Sequence, residues 1–160
     1  MDVSPYFVET RVEINAPRAL VWNVLTDFAQ YPNWGRFIKA IHGRPEVNSE
    51  IVEILQFRFL PKPIPGKSFL IRVEPPLNLT WRGSFVHSFD RFGQGTHSFT
   101  LTEITDQRTL LVHREDYRGL LVPAFMGLIH RIARPHFEMM DEDLKARSES
   151  LFSEASRSRG

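Results

Sequence analysis

Two hydrophobic periods alternate along this chain, and the switches between them mark an opening strand, a short helical segment, a run of strands and a long final helix. Val8, Thr10, Val12 and Ile14 alternate with Glu9, Arg11 and Glu13, the period of two expected of a strand with one buried face. The spacing then changes to that of a helix. Pro17 suits the first helical position, where a missing N–H costs nothing, and Val21, Val24, Leu25 and Phe28 form one apolar stripe. Tyr31, Pro32 and Trp34 close this segment in a rigid aromatic turn. Its two rings either seal a core or face a ligand.

Period-two patterning returns after Trp34 and predicts strands over residues 37–42, 51–60, 67–74, 79–87, 96–104 and 109–117. Turn residues separate them: Pro61, Pro63, Pro65 and Gly66, then Pro75, Pro76 and Asn78, then Gly93 and Gly95, then Asp106 with Gln107. Strands joined by such short connections predict an antiparallel meander. Beyond Gly119, Phe125, Ile129, Ile132, His136, Met140, Leu144 and Leu151 recur at helical steps. They predict one helix from about Val122 to about Ser150, on the order of 40 Å long at 1.5 Å per residue. Pro123 suits its start, whereas Pro135 predicts a kink or break near Arg131 to Arg134. Residues 1–152 then read as a single domain and 153–160 as a frayed tail.

Composition narrows the function classes. A chain of 160 residues can bury a core without metal or disulfide support. Twenty basic and nineteen acidic residues leave a formal charge of +1, which argues against nucleic acid as a partner. Cysteine is absent, excluding a thiol nucleophile and cysteine-ligated zinc. With neither a leader-like segment nor an integral membrane segment in the sequence, a cytoplasmic location is expected. The His-Arg-Glu at 113–115 lacks the cysteines of a zinc deaminase, and His130 and His136 are wrongly spaced for one helical face. No metal or other cofactor is expected. Mixed charges on the last helix, Arg131, Arg134, Lys145 and Arg147 among Glu138, Asp141, Glu142 and Asp143, read as a solvated face.

Three stretches carry a resemblance to a known family: INAPRALVWNVLTDFAQYPNW, LTWRGSF followed by GTHSFTLTEI, and TLLVHREDYRGLL leading into the last helix. In this order they resemble the SRPBCC superfamily, the START-like and pollen-allergen-like helix-grip proteins, and within it the polyketide cyclase/dehydratase-like branch. The resemblance implies an α+β helix-grip fold: a curved antiparallel sheet of about seven strands wrapped around a long C-terminal helix, with two short helices after strand 1. It also implies a cavity between sheet and helix that in relatives holds lipids, sterols, quinones or polyketides. The glycine-rich loop of the plant allergen branch is not found here.

Strand parity identifies the residues that would face such a cavity. Phe57 and Phe59, Phe69 and Ile71, Trp81 and Phe85, and Phe99 share faces with other large apolar residues. Periodicity alone describes a solid core equally well. With Trp34 from the aromatic turn and Phe125, Met126, Ile129 and Met140 from the last helix, these form the candidate ligand-binding set. Polar groups intrude on the same faces: His97 shares parity with Phe99, and His113 and Glu115 with Tyr117. One hairpin register sets His97 opposite Glu115 and His113 opposite Phe99, with side chains about 5 Å apart. A two-residue shift moves His97 toward Tyr117 instead. A buried Glu115 needs a partner such as His97, His113 or Arg82.

His97, Glu115 and Tyr117 are therefore candidate catalytic residues, and His113 joins the ligand-binding set. A satisfied Glu–His pair with no catalytic role uses the same residues. The preferred reading is binding of a small apolar molecule, a lipid, quinone or polyketide-like compound, in the cavity. Its entrance is expected between residues 60–66 and 121–126. The alternative is a polyketide cyclase or dehydratase using the inward His, Glu and Tyr, and a weaker one is a protein-interaction adaptor.

Overall fold

In the computed structural model, which describes residues 4–84 and 93–158, the sequence patterns become ten elements. They run β1 (Phe7–Ile14), α1 (Arg18–Thr26), α2 (Tyr31–Trp34), β2 (Ile38–His42), β3 (Glu50–Leu55), β4 (Ile64–Glu74), β5 (Asn78–Ser84), β6 (Gln94–Thr105), β7 (Arg108–Arg118) and α3 (Val122–Arg157). A single 3₁₀ turn, Phe28–Gln30, joins the two short helices. All strand pairs are antiparallel, in the order β1-β7-β6-β5-β4-β3-β2. This is the expected helix-grip fold.

The chain's first two strands are the two edges of this sheet. The segment between them must cross from one edge to the other, and α1 and α2 make that crossing. Val21, Trp22, Val24 and Leu25 bury the inner face of α1, and Tyr31 is fully buried with its hydroxyl donating to the Leu25 carbonyl at 2.8 Å. The main core lies here, where Ile14, Leu70, Leu79, Phe99, Leu101 and Leu111 meet Met139, Met140 and Leu144 of α3.

Several boundaries differ from the sequence reading. Strand β3 ends at Leu55, because the chain turns at residues 56–60, where Gln56 Nε2 donates to the carbonyls of Phe57 and Leu60, each at 3.0 Å. Strand β4 carries a register shift between Leu70 and Arg72, and such a bulge changes which side chains point inward. Strand β6 begins at Gln94, so Gly95 lies within a strand rather than in a turn. The predicted strand over 79–87 is seen as β5 to Ser84, its remainder lying outside the described residues.

Helix α3 passes through Pro135 without a break and continues to Arg157. A proline there leaves the Arg131 carbonyl without its usual intrahelical donor. The neighbouring His136 reinforces this turn: its Nδ1–H donates to the Ile132 carbonyl at 2.6 Å, and its Nε2 accepts the Arg58 N–H at 3.1 Å. His136 therefore ties the helix to the 56–60 turn, with Phe37 and Phe57 packed on its ring.

Candidate functional site

The inner face of the sheet changes character along its strands. Toward the end covered by α1 it presents Leu70, Leu79, Phe99, Leu101 and Leu111, all buried. Toward the N-terminal end of α3, β4, β5 and β6 instead contribute Gly66, Gly83 and Gly95, each of which lines a cavity of about 520 Å³. A sheet that substitutes hydrogen for side chains on three neighbouring strands cannot fill the space beneath a helix. Its size is that of a small-molecule site. Its walls are largely apolar: Phe37, Leu55 and Phe57 on one side, Phe125, Ile129 and Phe137 of α3 on another, and Trp81 of β5.

Polar side chains gather on the sheet side of this cavity: Glu53 and Ser68 from β3 and β4, His97 from β6, and Glu115 and Tyr117 from β7. Strand pairing sets His97 opposite Glu115 and Phe99 opposite His113, the first of the two registers considered above. The partner of Glu115 is nonetheless neither histidine nor Arg82. Tyr117 donates its hydroxyl to Glu115 Oε2 at 2.8 Å, because residues two apart on a strand share a face. The carboxylate sits directly over Gly95, so a Cβ there would displace Glu115 Oε1 from its place.

Burial pushes the Glu115 carboxyl up to about 7, the Tyr117 hydrogen bond opposing and the Asp116 charge reinforcing that shift. Burial likewise raises Tyr117 well above the ordinary tyrosine range, and the Glu115 carboxylate adds to it. Glu53 was not singled out by sequence, yet it is 5% exposed and faces the same cavity. Desolvation pushes it up to about 7, against hydrogen bonds from Ser68 and Trp81, and negative charge on Glu115 raises it further. Its signal was its position between inward Ile51 and Leu55 on alternating residues of β3.

Behind the cavity wall the polar groups form a line. His97 Nε2 meets His113 Nε2, His113 Nδ1 meets Asp141 Oδ1 at 2.6 Å, and Thr10 donates to Asp141 Oδ2 at 2.5 Å. His97 and His113 are nearly coplanar, at 10°, and the rings of both pack on Phe99 and Phe137. Burial, with the adjacent His113, holds His97 well below the usual histidine range.

The predicted binding set divides accordingly. Phe57, Trp81, Phe125 and Ile129 line the cavity. Phe99, Met140 and His113 are buried behind it, and Met126 packs in a second cluster with Val8, Tyr117 and Phe137. Five residues of the set require correction or fall outside the described residues. Trp34 does not reach the cavity but packs against Tyr31, ring centroids 4.3 Å apart, at the edge of the main core. Phe59 sits in the 56–60 turn and is 62% exposed. Phe69 and Ile71 point outward, at 50% and 38% exposure, because the inward residues before the β4 bulge are Ser68 and Leu70. Phe85 lies outside the described residues. Among the described residues no cluster of three or more potential ligands could hold a metal ion, and no helix is long and apolar enough to cross a membrane.

The family model described as polyketide cyclase/dehydrase and lipid transport matches residues 7–149. A search of the curated proteins found no match. Among solved structures, a START superfamily protein from Mycobacterium smegmatis is similar with a TM-score of 0.73 and 19% identity, covering 91% of this chain and 98% of that one. Norcoclaurine synthase from Thalictrum flavum gives 0.70 at 9% identity, covering 94% and 98%. A protein from Helicobacter pylori gives 0.73 at 15%, covering 91% and 89%. At these identities the likeness is one of fold.

Proposed function

Since the chain belongs to the polyketide cyclase/dehydrase and lipid transport family, we propose that it binds a small apolar molecule, a lipid, quinone or polyketide-like compound, between sheet and α3. The cavity of about 520 Å³ carries this reading, with apolar walls and a polar group on the sheet side. Apolar walls supply most of the affinity of such a site, and a few placed polar groups orient the ligand. The opening lies between the start of β4 and the start of α3, where Ile64, Leu121, Phe125 and Leu128 combine cavity contact with partial exposure. Native mass spectrometry of protein isolated from its source, followed by solvent extraction, is expected to release one class of apolar compound. Protein that carries none, and that also fails to take up an apolar fluorophore such as 2-naphthol, would remove this reading.

The grouping of His97, Glu115 and Tyr117 favours a second reading, acid–base catalysis of the cyclase or dehydratase type. A carboxyl held near 7 exists in both forms at neutral pH, as a general acid or base requires. Glu115 or His97 would remove a proton beside a ligand carbonyl, with Tyr117 next to the oxygen that gains charge. Glu115→Gln and His97→Ala should then abolish turnover of a polyketide-like substrate while circular dichroism stays unchanged. Full turnover by both variants would exclude these residues from the chemistry.

A further inference from the structure

The line from Thr10 to His97 leaves a proton inventory that limits what His97 can offer a ligand. Asp141 is buried and accepts twice, from Thr10 on Oδ2 and from His113 Nδ1–H on Oδ1. A carboxylate fixes the proton of a histidine on the nitrogen facing it, so neutral His113 presents Nε2 as a lone pair. His97 Nε2 faces that lone pair and must carry the hydrogen. The nitrogen of His97 left to meet a ligand is then Nδ1, bare of hydrogen, on a ring that lines the cavity.

We propose that Asp141, His113 and His97 form a buried one-proton relay that makes His97 Nδ1 the hydrogen-bond acceptor and base of the cavity, selecting apolar ligands that carry an acidic hydroxyl, a phenol or an enol. This rests on the ligand-binding reading above and names the ligand's polar group. The step balances. The ligand O–H bond breaks and an N–H forms at His97 Nδ1, while the Nε2 hydrogen of His97 passes to His113 Nε2. The positive charge comes to rest on His113, against the Asp141 carboxylate, and the ligand is left as an oxyanion. His113 and Asp141 are positioning residues that never touch the ligand.

The surroundings favour this arrangement over a charge on His97 itself. Phe99 of β6 and Phe137 of α3 pack on both histidine rings, and Trp81 of β5 packs on His97. The ionisable groups facing the relay are Asp141 from α3, Glu115 opposite His97 on β7, and Glu53 and Tyr117 around the same cavity. Asp141 is hydrogen-bonded to His113 at 2.6 Å, so it is the counter-charge toward which a proton moves. Thr10 from β1 fixes the carboxylate's second oxygen.

Nitrogen NMR of the histidine-labelled full chain tests the relay directly. At pH 7 His97 should be protonated on Nε2 and His113 on Nδ1; a hydrogen on His97 Nδ1 would overturn the proposal. Affinity for 2-naphthol should exceed that for 2-methoxynaphthalene, which lacks the hydroxyl hydrogen, by at least tenfold. His97→Phe should abolish that preference and Asp141→Asn should reduce it severalfold, with 2-methoxynaphthalene binding unchanged in the latter. A preference that persists in His97→Phe, or equal affinities in the wild type, would overturn the relay but leave ligand binding standing. Binding of neither compound, with the tautomers as stated, would overturn ligand binding and leave the relay intact.

Discussion

At the scale of single residues, the cavity carries an unusual load of buried acid. Glu53 and Glu115 face the same space, each raised to about 7 from 4.5. A carboxyl whose folded pKa lies above its unfolded value stabilises the fold fully below about 4.5, and that contribution is lost as pH rises toward 7. At about 1.4 kcal/mol for each tenfold change, the shift of Glu53 represents roughly 3 kcal/mol. Glu53→Gln should therefore be more stable than the wild type at pH 8 by about 1–3 kcal/mol, and the two should converge toward pH 4.5. Urea denaturation at the two pH values measures this; an equal difference at both would show that Glu53 is not held neutral. Glu53 was legible as an inward residue of β3, but not its proximity to Glu115, four strands away in the sheet order.

At the scale of elements, β4, β5 and β6 decide how much space is left under α3. A Cβ at Gly66 would meet Leu55 Cδ1 at 3.3 Å, Glu53 Oε2 at 3.5 Å and the Glu53 carbonyl oxygen at 3.8 Å, so a side chain fits here with a small shift of the Leu55 tip and at the expense of the cavity. Gly66→Val should keep or raise the melting temperature, since β-branched residues favour strands by up to ~1 kcal/mol. It should also weaken 2-naphthol binding at least tenfold. Wild-type affinity in a folded Gly66→Val protein would mean that ligands do not use this end of the cavity. The meander and the long helix were readable because periods of two and 3.6 survive in the sequence whenever one face is buried. The bulge in β4 was not, as one extra residue reverses parity without altering composition. That is why Phe69 and Ile71 were assigned to the wrong face.

For the molecule as a whole, the grip and the proposed opening belong to different ends of α3. Its later half, through Met140 and Leu144, closes the main core with α1, whereas around its start Leu121, Phe125 and Leu128 are half exposed beside the cavity. On the ligand-binding proposal, these half-exposed side chains are the barrier that an entering ligand passes. Leu121→Ser with Phe125→Ser should speed 2-naphthol exchange severalfold in stopped-flow fluorescence, with a melting temperature within a few degrees of wild type. Unchanged exchange would place the opening elsewhere.

The sequence by itself determined the order of elements, the fold class and the presence of polar groups on inward faces, because these depend on local periodicity and turn chemistry. It also narrowed the β6–β7 pairing to two registers. Only the tertiary structure decided which register holds, that Trp34 belongs to the core, and that Asp141 on α3 reaches His113 on β7 across 28 residues of chain. It likewise showed that three glycines from three strands open one cavity. Periodicity reports which face of an element is buried. What lies against that face depends on sheet curvature, strand order and the placement of a distant helix, and none of these is encoded within a single window of residues.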